Sequence, residues 1–289
     1  MNAMETYEIR QGDTLGKIAK KFYGDAGKYI LIAEANDIPN PDRIEVGQVL
    51  KIPREVEDLG ETTDMMTIDS PELPIDKTTL RLSDGQYMKE SKPKNLIVLH
   101  FTAGRNARGA YNTWAGDSHR IATAYIVDTD GVIYEAFAPN FWAYALGIKG
   151  QPDKRNEKRA IQIEIANVGP LVRRDDVLYW WPPVENGVET YKTRWCHVSE
   201  GHKYVEASFR GRDYYASFPH EQFLAVGNLV KHLCETFEIE KTIPFDRLED
   251  VDLAWFSEFR GIASHQNFRR DKYDIGPAFD WEQFAAIVG

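Results

Sequence analysis

The chain has few cysteines, no long apolar stretch and no surplus of basic residues, and each absence excludes a class of protein. Its 289 residues include only Cys196 and Cys234, which rules out a disulfide framework, and we interpret both as thiols. No apolar run approaches the roughly 18 residues of a membrane span. The formal net charge of −10 argues against nucleic-acid binding, which usually requires a basic surplus. We expect a soluble monomer of about two domains that binds no nucleic acid and does not span a membrane.

Residues 6–53 show the pattern of a small, separate unit. Tyr7-Glu8-Ile9 alternates like a strand, and Gly12-Asp13-Thr14 supplies a turn and a helix cap. Helical spacing follows at 15–22 and again at 29–35, where Asn36 ends it. A last strand closes the unit before Pro53, so the predicted order is strand, helix, helix, strand.

This unit resembles a LysM domain, from Tyr7-Glu8-Ile9-Arg10-Gln11-Gly12-Asp13-Thr14-Leu15 to Gly47-Gln48-Val49-Leu50-Lys51-Ile52-Pro53. LysM modules bind glycans that contain N-acetylglucosamine, chiefly peptidoglycan, in a shallow groove between two loops. The resemblance implies a LysM domain over 5–54. Its implied groove residues are Gly12, Asp13, Thr14, Leu15, Asn36, Asp37, Ile38 and Pro39. The alternative is a LysM domain kept only as an assembly or docking module.

An acidic segment follows the first unit. Between Arg54 and Lys77 there are eight acidic residues against these two basic ones, a net charge of −6. The segment holds few apolar residues and shows no clear period. We therefore interpret 55–90 as a linker, with some ordering at Leu80-Arg81-Leu82, and 91–289 as the second domain.

The second domain alternates strands and helices. Strands are predicted at 95–101, 124–128, 132–137 and 160–166, with a hairpin turn at Asp130-Gly131. Helices are predicted at 106–114, 219–237 and 281–288. Residues 170–218 are rich in aromatic and charged residues and form an insertion, which either walls a cleft or packs on the core. This succession predicts an α/β fold with a mixed central sheet flanked by helices.

Three residues of this domain suggest a catalytic metal site. His100 ends an apolar strand, and His265 and Asp274 lie in turns near the carboxyl terminus. Two imidazoles and one carboxylate leave the fourth tetrahedral position open for water, which a catalytic zinc needs. Taken alone, a histidine at a strand end is more often structural.

Four stretches, in order, are similar to the zinc-dependent N-acetylmuramoyl-L-alanine amidases of the phage-lysozyme and peptidoglycan-recognition-protein superfamily. They are Ile97-Val98-Leu99-His100-Phe101-Thr102-Ala103-Gly104, Tyr125-Ile126-Val127-Asp128-Thr129-Asp130-Gly131-Val132-Ile133-Tyr134, Ala160-Ile161-Gln162-Ile163-Glu164-Ile165-Ala166-Asn167, and Ser264-His265 with Lys272-Tyr273-Asp274-Ile275-Gly276-Pro277. The third is usually a glycine-isoleucine-glutamate run in the family.

The resemblance implies a role for each of five residues. His100, His265 and Asp274 would bind Zn²⁺, Glu164 would move protons, and Lys272 would stabilise the oxyanion. Other interpretations stay open: Glu164 as a buried ion-pair partner, Lys272 as a solvated lysine, and Asp274 as a turn residue.

The sequence also departs from the family pattern. The family hairpin often has a histidine, preceded in the phage branch by a tyrosine, where Ala124 and Thr123 stand here. A family Trp-His-Ala-Gly stretch is replaced by Tyr144-Ala145-Leu146-Gly147. These changes leave the predicted metal ligands intact, but they alter the wall of the site that faces the substrate.

Together the two resemblances predict a peptidoglycan hydrolase that cuts the amide between N-acetylmuramic acid and L-alanine. The rival hypothesis is a non-catalytic peptidoglycan receptor or assembly module, since some superfamily members have lost zinc. The segment Met1–Tyr7 shows no signal peptide. We therefore expect the protein to reach the cell wall after holin-type release or by specialised secretion.

Overall fold

The computed structural model describes residues 5–23, 29–36, 38, 44–53, 73–180, 184–186 and 188–289. The chain divides into two compact units, Met1–Ser70 and Pro71–Gly289. Among the described stretches, no helix combines the length and apolar composition that crossing a membrane requires.

The first unit has the predicted order of elements. They are β1 (Glu5–Glu8), α1 (Leu15–Tyr23), α2 (Tyr29–Ala35) and β2 (Val49–Ile52). The two strands pair antiparallel, with Tyr7 opposite Leu50. Buried side chains from both helices and β2 form the core, among them Leu15, Ile18, Ala19, Ile32, Leu50 and Ile52. Gly12 turns the chain from β1 towards α1 with a φ of 87°, a backbone conformation that favours glycine.

The described residues of the second unit form eleven strands in its main sheet and its insertion, together with a two-stranded hairpin. In chain order they are β3 (Ile75–Asp76), β4 (Leu96–Phe101), β5 (Tyr125–Val127), β6 (Ile133–Glu135), β7 (Ala160–Ile165), β8 (Pro170–Arg174), β9 (Val177–Trp180), β10 (Val184–Glu185), β11 (Val188–Glu189), β12 (Arg194–His197), β13 (Tyr204–Phe209), β14 (Arg212–Ala216) and β15 (Gly261–Ser264). The main sheet has six strands in the order β15-β4-β7-β5-β6-β3. Its β5–β6 pair is antiparallel and its other pairs are parallel, which confirms the predicted mixed sheet.

Helices flank this sheet. They are α3 (Ala107–Ala115), α4 (Arg155–Arg159), α5 (His220–Phe237), α6 (Leu253–Glu258) and α7 (Trp281–Val288). Asn106 caps α3 by accepting a hydrogen bond from the backbone N–H of Gly109 at 2.9 Å. The helices α5 and α7 approach closely at Gly227, where an added Cβ would lie 2.6 Å from Ile287 Cγ2. Apolar side chains of α5 and α7 join those of β4, β5 and β7 in one core.

The structure places residues 73–90 in the second unit and not in a linker. Strand β3 extends the main sheet by pairing with β6. Leu80, Leu82 and Tyr87 are buried in the main core. These apolar residues find their partners far along the chain, so the local composition of the segment conceals their burial.

The predicted insertion at 170–218 forms a second sheet, with strands in the order β12-β9-β8-β14-β13. All its pairings are antiparallel. Val168, Leu171, Leu178, Cys196 and Ala216 form a small core of their own beneath it. Cys196 lies here and Cys234 lies in the main core, and both are buried free thiols.

Candidate metal centre

Three parallel strands bring most of the predicted site residues to one edge of the main sheet. Strand β4 lies between β15 and β7 and runs parallel to both. His100 pairs in register with Glu164, and Leu99 pairs with Ser264, so His265 follows beside His100. The carboxyl ends of parallel strands are the usual position of ligand sites in open α/β sheets.

The three predicted metal ligands converge at this edge. His100 Nδ1 lies 3.0 Å from His265 Nδ1 and 3.3 Å from Asp274 Oδ2. His265 Nδ1 lies 2.9 Å from the same carboxylate oxygen, and all three residues are buried. Ligand atoms bound to a tetrahedral zinc at its usual bond lengths lie roughly 3.3 Å apart, so this triangle has nearly the size that zinc requires.

Hydrogen bonds on the far side of each ring decide which nitrogen carries the proton. His100 Nε2 lies 2.9 Å from Gln162 Oε1, and His265 Nε2 lies 3.0 Å from the carbonyl oxygen of Leu146. Both oxygens only accept hydrogen bonds, so both Nε2 atoms must donate. In the neutral rings the two Nδ1 lone pairs then face each other and the Asp274 carboxylate. A shared cation is the partner that satisfies all three.

Asp274 is held as a carboxylate. Burial raises its pKa, but without a cation the positive charges and hydrogen bonds of His265 and His100 in their protonated forms outweigh burial and hold the pKa well below its usual range. Its backbone oxygen accepts a hydrogen bond from the N–H of Gln266 at 2.7 Å, and Gln266 Oε1 accepts one from the N–H of Gly276 at 3.0 Å. The loop that carries Asp274 is therefore tied to the end of β15.

The insertion also holds this loop. Arg210, in the turn between β13 and β14, donates to the backbone oxygens of Gln266 at 3.1 Å, Arg269 at 3.2 Å and, at shorter range, Lys272. One guanidinium group thus binds the segment that leads from His265 to Asp274. The second sheet is part of the support of the site.

A cavity of about 510 Å³ opens over the three ligands, and Glu164 lines it. Burial raises the pKa of Glu164 to about 7, with a further rise from Asp274 and opposing effects of His100 and Lys272. A carboxyl group with a pKa near neutrality both accepts and releases a proton at physiological pH.

Lys272 lines the same cavity, two residues before Asp274 along the chain. Its positive charge lowers the pKa of Glu164, so the two groups interact across the cavity. All five residues that the sequence predicted for the second domain therefore surround one space.

The cavity walls come from both sheets. Thr123, Ala145 and Ile121 line one side, whereas Ala124 is buried in the main core. Thr123 is buried and its hydroxyl donates to the carbonyl oxygen of Tyr125 at 2.8 Å. Thr123 and Ala145 thus line the cavity at positions where the sequence departs from the family pattern.

The insertion also contributes to the cavity wall. Pro170 begins β8 and Trp180 ends β9, and both line the cavity. The Arg105 guanidinium lies 5.9 Å from the centre of the Trp180 ring and donates to the backbone oxygen of Arg194 at 3.0 Å. The insertion thus lines the cleft, and it also has a small core of its own.

The groups behind the two histidines were not predicted from the sequence. Gln162 stands two residues before Glu164, on the same face of β7, and its amide Nε2 donates to Glu157 Oε2 at 2.9 Å. The signal available in the sequence was a glutamine in an otherwise apolar strand. In the structure this glutamine faces a buried histidine. Glu157 and Leu146 carried no signal, because their role depends on contacts across the fold.

The predicted glycan-binding residues of the first unit differ in exposure. Gly12 and Thr14 are exposed, whereas Leu15 is buried in the core. Asp13 Oδ2 accepts hydrogen bonds from the hydroxyl of Tyr7 at 2.9 Å and from the N–H of Arg10 at 2.8 Å. Asp13 therefore fixes the turn that presents its neighbours.

The second predicted loop is anchored by Asn36. Its amide donates to the backbone oxygens of Ile32 at 2.7 Å and Lys51 at 2.8 Å, and its oxygen accepts from the N–H of Lys51 at 2.7 Å. Ile38 packs half-buried against the core. Asp37 and Pro39 lie outside the described residues.

Two family profiles match the chain. The profile of the LysM domain matches residues 7–53. The profile named N-acetylmuramoyl-L-alanine amidase matches residues 90–277, which is more than half of the chain.

Individual relatives match shorter stretches. An uncharacterized protein of Deinococcus radiodurans is 51% identical over 47 residues, 16% of this chain and 19% of that protein. The potassium binding protein Kbp of Escherichia coli O6:H1 is 47% identical over 55 residues, 18% of this chain and 37% of that protein. The chain thus spans less than half the length of these curated relatives.

Among solved structures, the N-acetylmuramyl-L-alanine amidase AmiD from E. coli, in complex with the substrate anhydro-N-acetylmuramic acid-L-Ala-D-gamma-Glu-L-Lys, is similar with a TM-score of 0.42. The sequence identity is 17%, and the match covers 69% of this chain and 59% of that chain.

Proposed function

The chain belongs to the N-acetylmuramoyl-L-alanine amidase family, and we propose that it hydrolyses the amide bond between N-acetylmuramic acid and L-alanine in peptidoglycan. One observation carries the proposal: His100, His265 and Asp274 direct three acceptor atoms at one point of a cavity that Glu164 and Lys272 also line. This set of groups supplies a metal site, a proton acceptor and a cation, which are the parts that amide hydrolysis needs.

Zinc fits the donor set that the chain presents. Two imidazole nitrogens and a single carboxylate oxygen favour zinc over the hard cations magnesium and calcium, which prefer all-oxygen sites. When bound, zinc polarises an amide carbonyl and lowers the pKa of water from 15.7 to about 7. His100, His265 and Asp274 would hold it beside the cavity that Glu164 and Lys272 line.

Glu164 would move the proton. Its carboxylate takes a proton from the attacking water and delivers it to the nitrogen of the departing L-alanine amine. The position supports this role, because Glu164 is in register with His100 at the adjacent strand end. The pKa of about 7 suits both steps, since the group gives up and regains a proton at little cost near neutral pH.

Lys272 would stabilise the negative charge that forms on the former carbonyl oxygen. Its chain position, two residues before Asp274, brings an ammonium group to the rim of the metal site, and it lines the cavity. Such electrostatic stabilisation is commonly worth a few kcal/mol.

The LysM domain would hold the glycan strand through the loops at Gly12-Asp13-Thr14-Leu15 and Asn36-Asp37-Ile38-Pro39. Exposure of Gly12 and Thr14 supports the first loop as a contact surface. A tethered binding domain raises the local concentration of bonds to cleave. The enzyme would act at the cell wall as a monomer. It would reach the cell wall by holin-type release or by specialised secretion.

The test is digestion of intact murein sacculi with mass spectrometry of the products. We expect free stem peptides that begin with L-alanine, and glycan strands whose muramic acid has a free lactyl carboxylate. A chelator should abolish the release, and added zinc should restore it. His100→Ala should abolish it together with metal binding, whereas the exposed helix variant Glu282→Gln should match the parent.

A different bond in the products would refute the proposed activity. A protein that binds murein but carries no zinc and releases nothing would instead support the non-catalytic receptor. Zinc content near one per chain, measured on the same preparation, distinguishes these results.

A further inference from the structure

A single buried carboxylate lies behind both histidines of the metal centre. Glu157, in α4, is 2% exposed and its side chain accepts three hydrogen bonds. Oε2 accepts from Gln162 Nε2 at 2.9 Å and from the N–H of Leu146 at 3.1 Å. Oε1 accepts from the N–H of Gly147 at 2.9 Å. A carboxylate is costly to bury, and these three donors offset that cost.

The donors that contact Glu157 connect it to both histidines, through the Gln162 amide and through the peptide group that joins Leu146 to Gly147. Gln162 uses its amide oxygen to accept from His100 Nε2 at 2.9 Å. The peptide carbonyl of Leu146 accepts from His265 Nε2 at 3.0 Å. The two histidines are 165 residues apart in sequence, and within the described part of the chain their far-side acceptors meet at this one carboxylate.

We propose that Glu157 is a positioning residue that sets the tautomer of His100 through Gln162 and holds the direction of both ligand histidines, through Gln162 on one side and the 146–147 backbone on the other. The inference rests on the metal centre of the proposed function and does not depend on which bond is cleaved. Partners behind ligand histidines typically change metal affinity by about 10- to 100-fold when they are removed.

The orientation of the Gln162 amide follows from the charge of Glu157. A carboxylate accepts only, so it binds the NH₂ group of the amide and leaves the oxygen to face His100. If position 157 carried an amide, its NH₂ group could itself donate to Gln162, and the orientation of the Gln162 amide would no longer be fixed. Gln162 would then be free to turn its NH₂ towards His100 Nε2, which would favour the tautomer with the proton on Nδ1. That proton would occupy the position where the metal binds.

The helix that carries Glu157 is itself firmly held. The Arg159 guanidinium donates to the backbone oxygens of Phe256 at 2.6 Å and Phe259 at 2.7 Å. Asn156 Nδ2 donates to Ser257 Oγ at 2.9 Å. These bonds anchor α4 to α6 and the residues that follow it, so Glu157 is a fixed point from which both histidines are aimed.

The experiment measures zinc affinity of the full chain by competition with a chromophoric chelator, together with ¹⁵N-edited spectra of the imidazole Nε2–H groups. In the parent, both Nε2–H protons should be protected from exchange with water. Glu157→Gln should weaken zinc binding by about 10- to 100-fold and reduce the protection of both histidines. Gln162→Met should reduce the protection of His100 and leave that of His265 in place.

A rescue variant distinguishes hydrogen bonding from packing. Glu157→Gln/Gln162→Glu moves the carboxylate next to His100 Nε2 and leaves an amide oxygen for the 146–147 backbone. The side-chain volumes stay nearly constant. His100 Nε2 still donates to the side chain at 162, whereas the bond between the two exchanged side chains reverses, with the amide at 157 donating to the carboxylate at 162. We expect the double variant to recover zinc affinity to within roughly tenfold of the parent.

The matched control is Glu135→Gln, at another buried glutamate, which pairs with Arg81 and lies away from the cavity. It should leave zinc affinity and both Nε2–H protons unchanged. Parental zinc affinity and protection in Glu157→Gln would overturn the inference, as would a double variant no better than the single one. If Glu157→Gln does not fold, equal loss of protection at both histidines in Gln162→Met would overturn it. Absence of zinc from the parent chain would instead remove the metal centre itself.

Discussion

Glu164 stands in register with His100 across the β4–β7 pair, where the His100 ring meets His265 and Asp274. Side chains of paired residues emerge on the same face of a sheet, so the carboxyl group and the imidazole share the cavity. The parallel pairing thus places the proposed proton acceptor beside a proposed metal ligand, and both lie on strands of the main sheet.

Glu164→Gln should separate proton transfer from metal binding. Glutamine keeps the size of the side chain but cannot take up a proton, so kcat should fall by about 10²- to 10⁴-fold. Zinc content should remain near one per chain, because Glu164 is not a ligand. Residual activity should also lose the acidic limb of its pH profile. A variant with parental kcat would exclude Glu164 as the proton acceptor.

The same substitution should stabilise the metal-free protein, and more so at higher pH. Burial raises the pKa of Glu164 from its ordinary value of 4.5 to about 7, so the folded state binds this proton more tightly than the unfolded chain. The free energy of unfolding therefore falls as pH rises from about 4.5 to about 7, and the cost is complete above that range. Glu164→Gln removes this cost.

Thermal unfolding in the presence of a chelator checks this prediction. Glu164→Gln should raise the Tm relative to the parent by several degrees at pH 8 and by much less at pH 5. The exposed Glu282→Gln should change the Tm little at either pH. An equal change in Tm for Glu164→Gln at both pH values would show that proton binding is not its cause.

Much of the site was predictable because its residues interrupt strong local patterns. His100 ends a run of apolar strand residues, and Glu164 interrupts another, so both stand out in strands that are otherwise buried. Their pairing was not predictable from local pattern, since register depends on contacts between distant segments. The same limit hid Glu157, whose partners at 146–147 and 162 become neighbours only in the folded chain.

The boundary of the second domain was also hidden by contacts between distant segments. The acidic composition of 55–90 indicated a linker, yet Leu80 and Leu82 are 1% and 4% exposed. Two apolar residues in a polar segment form no periodic pattern, and they are buried because β6 and the following turn lie beside them. The backbone N–H of Leu82 donates to the oxygen of Ala136 at 2.8 Å, which fixes the segment to the sheet.

Removal of the LysM domain should slow the digestion of polymeric murein and leave the rate of the chemical step unchanged. The second unit has its own core, so a chain that begins at Pro71 should fold and retain zinc. Its kcat/KM on soluble muropeptides should match the parent, whereas digestion of sacculi at low enzyme concentration should slow by about tenfold or more, because the effective concentration is lost. Equal rates on sacculi would indicate that the domain serves assembly or docking instead.

Trp180 should contribute to substrate binding from the insertion side of the cavity. Trp180 lines the cavity, and an indole provides a large apolar face for a sugar or an alanyl side chain. Trp180→Leu removes the ring and keeps part of the apolar surface. Because an apolar contact takes no part in the proton transfer, it should bind the ground state and the transition state alike. We expect KM on murein fragments to rise several-fold with kcat nearly unchanged.

Tyr179→Leu provides the matched control for that prediction. Tyr179 is the neighbour of Trp180 on β9, so its side chain points to the opposite face, where it contacts Tyr191 with ring centroids 5.4 Å apart. Both variants disturb the same sheet, but only Trp180→Leu changes the cavity wall. Similar KM values for the two variants would indicate that the rise in KM results from loss of sheet stability. The insertion would then only support the site, as Arg210 does. A rise in KM for Trp180→Leu alone assigns substrate recognition to the insertion, because the two substitutions differ only in the face of β9 that they alter.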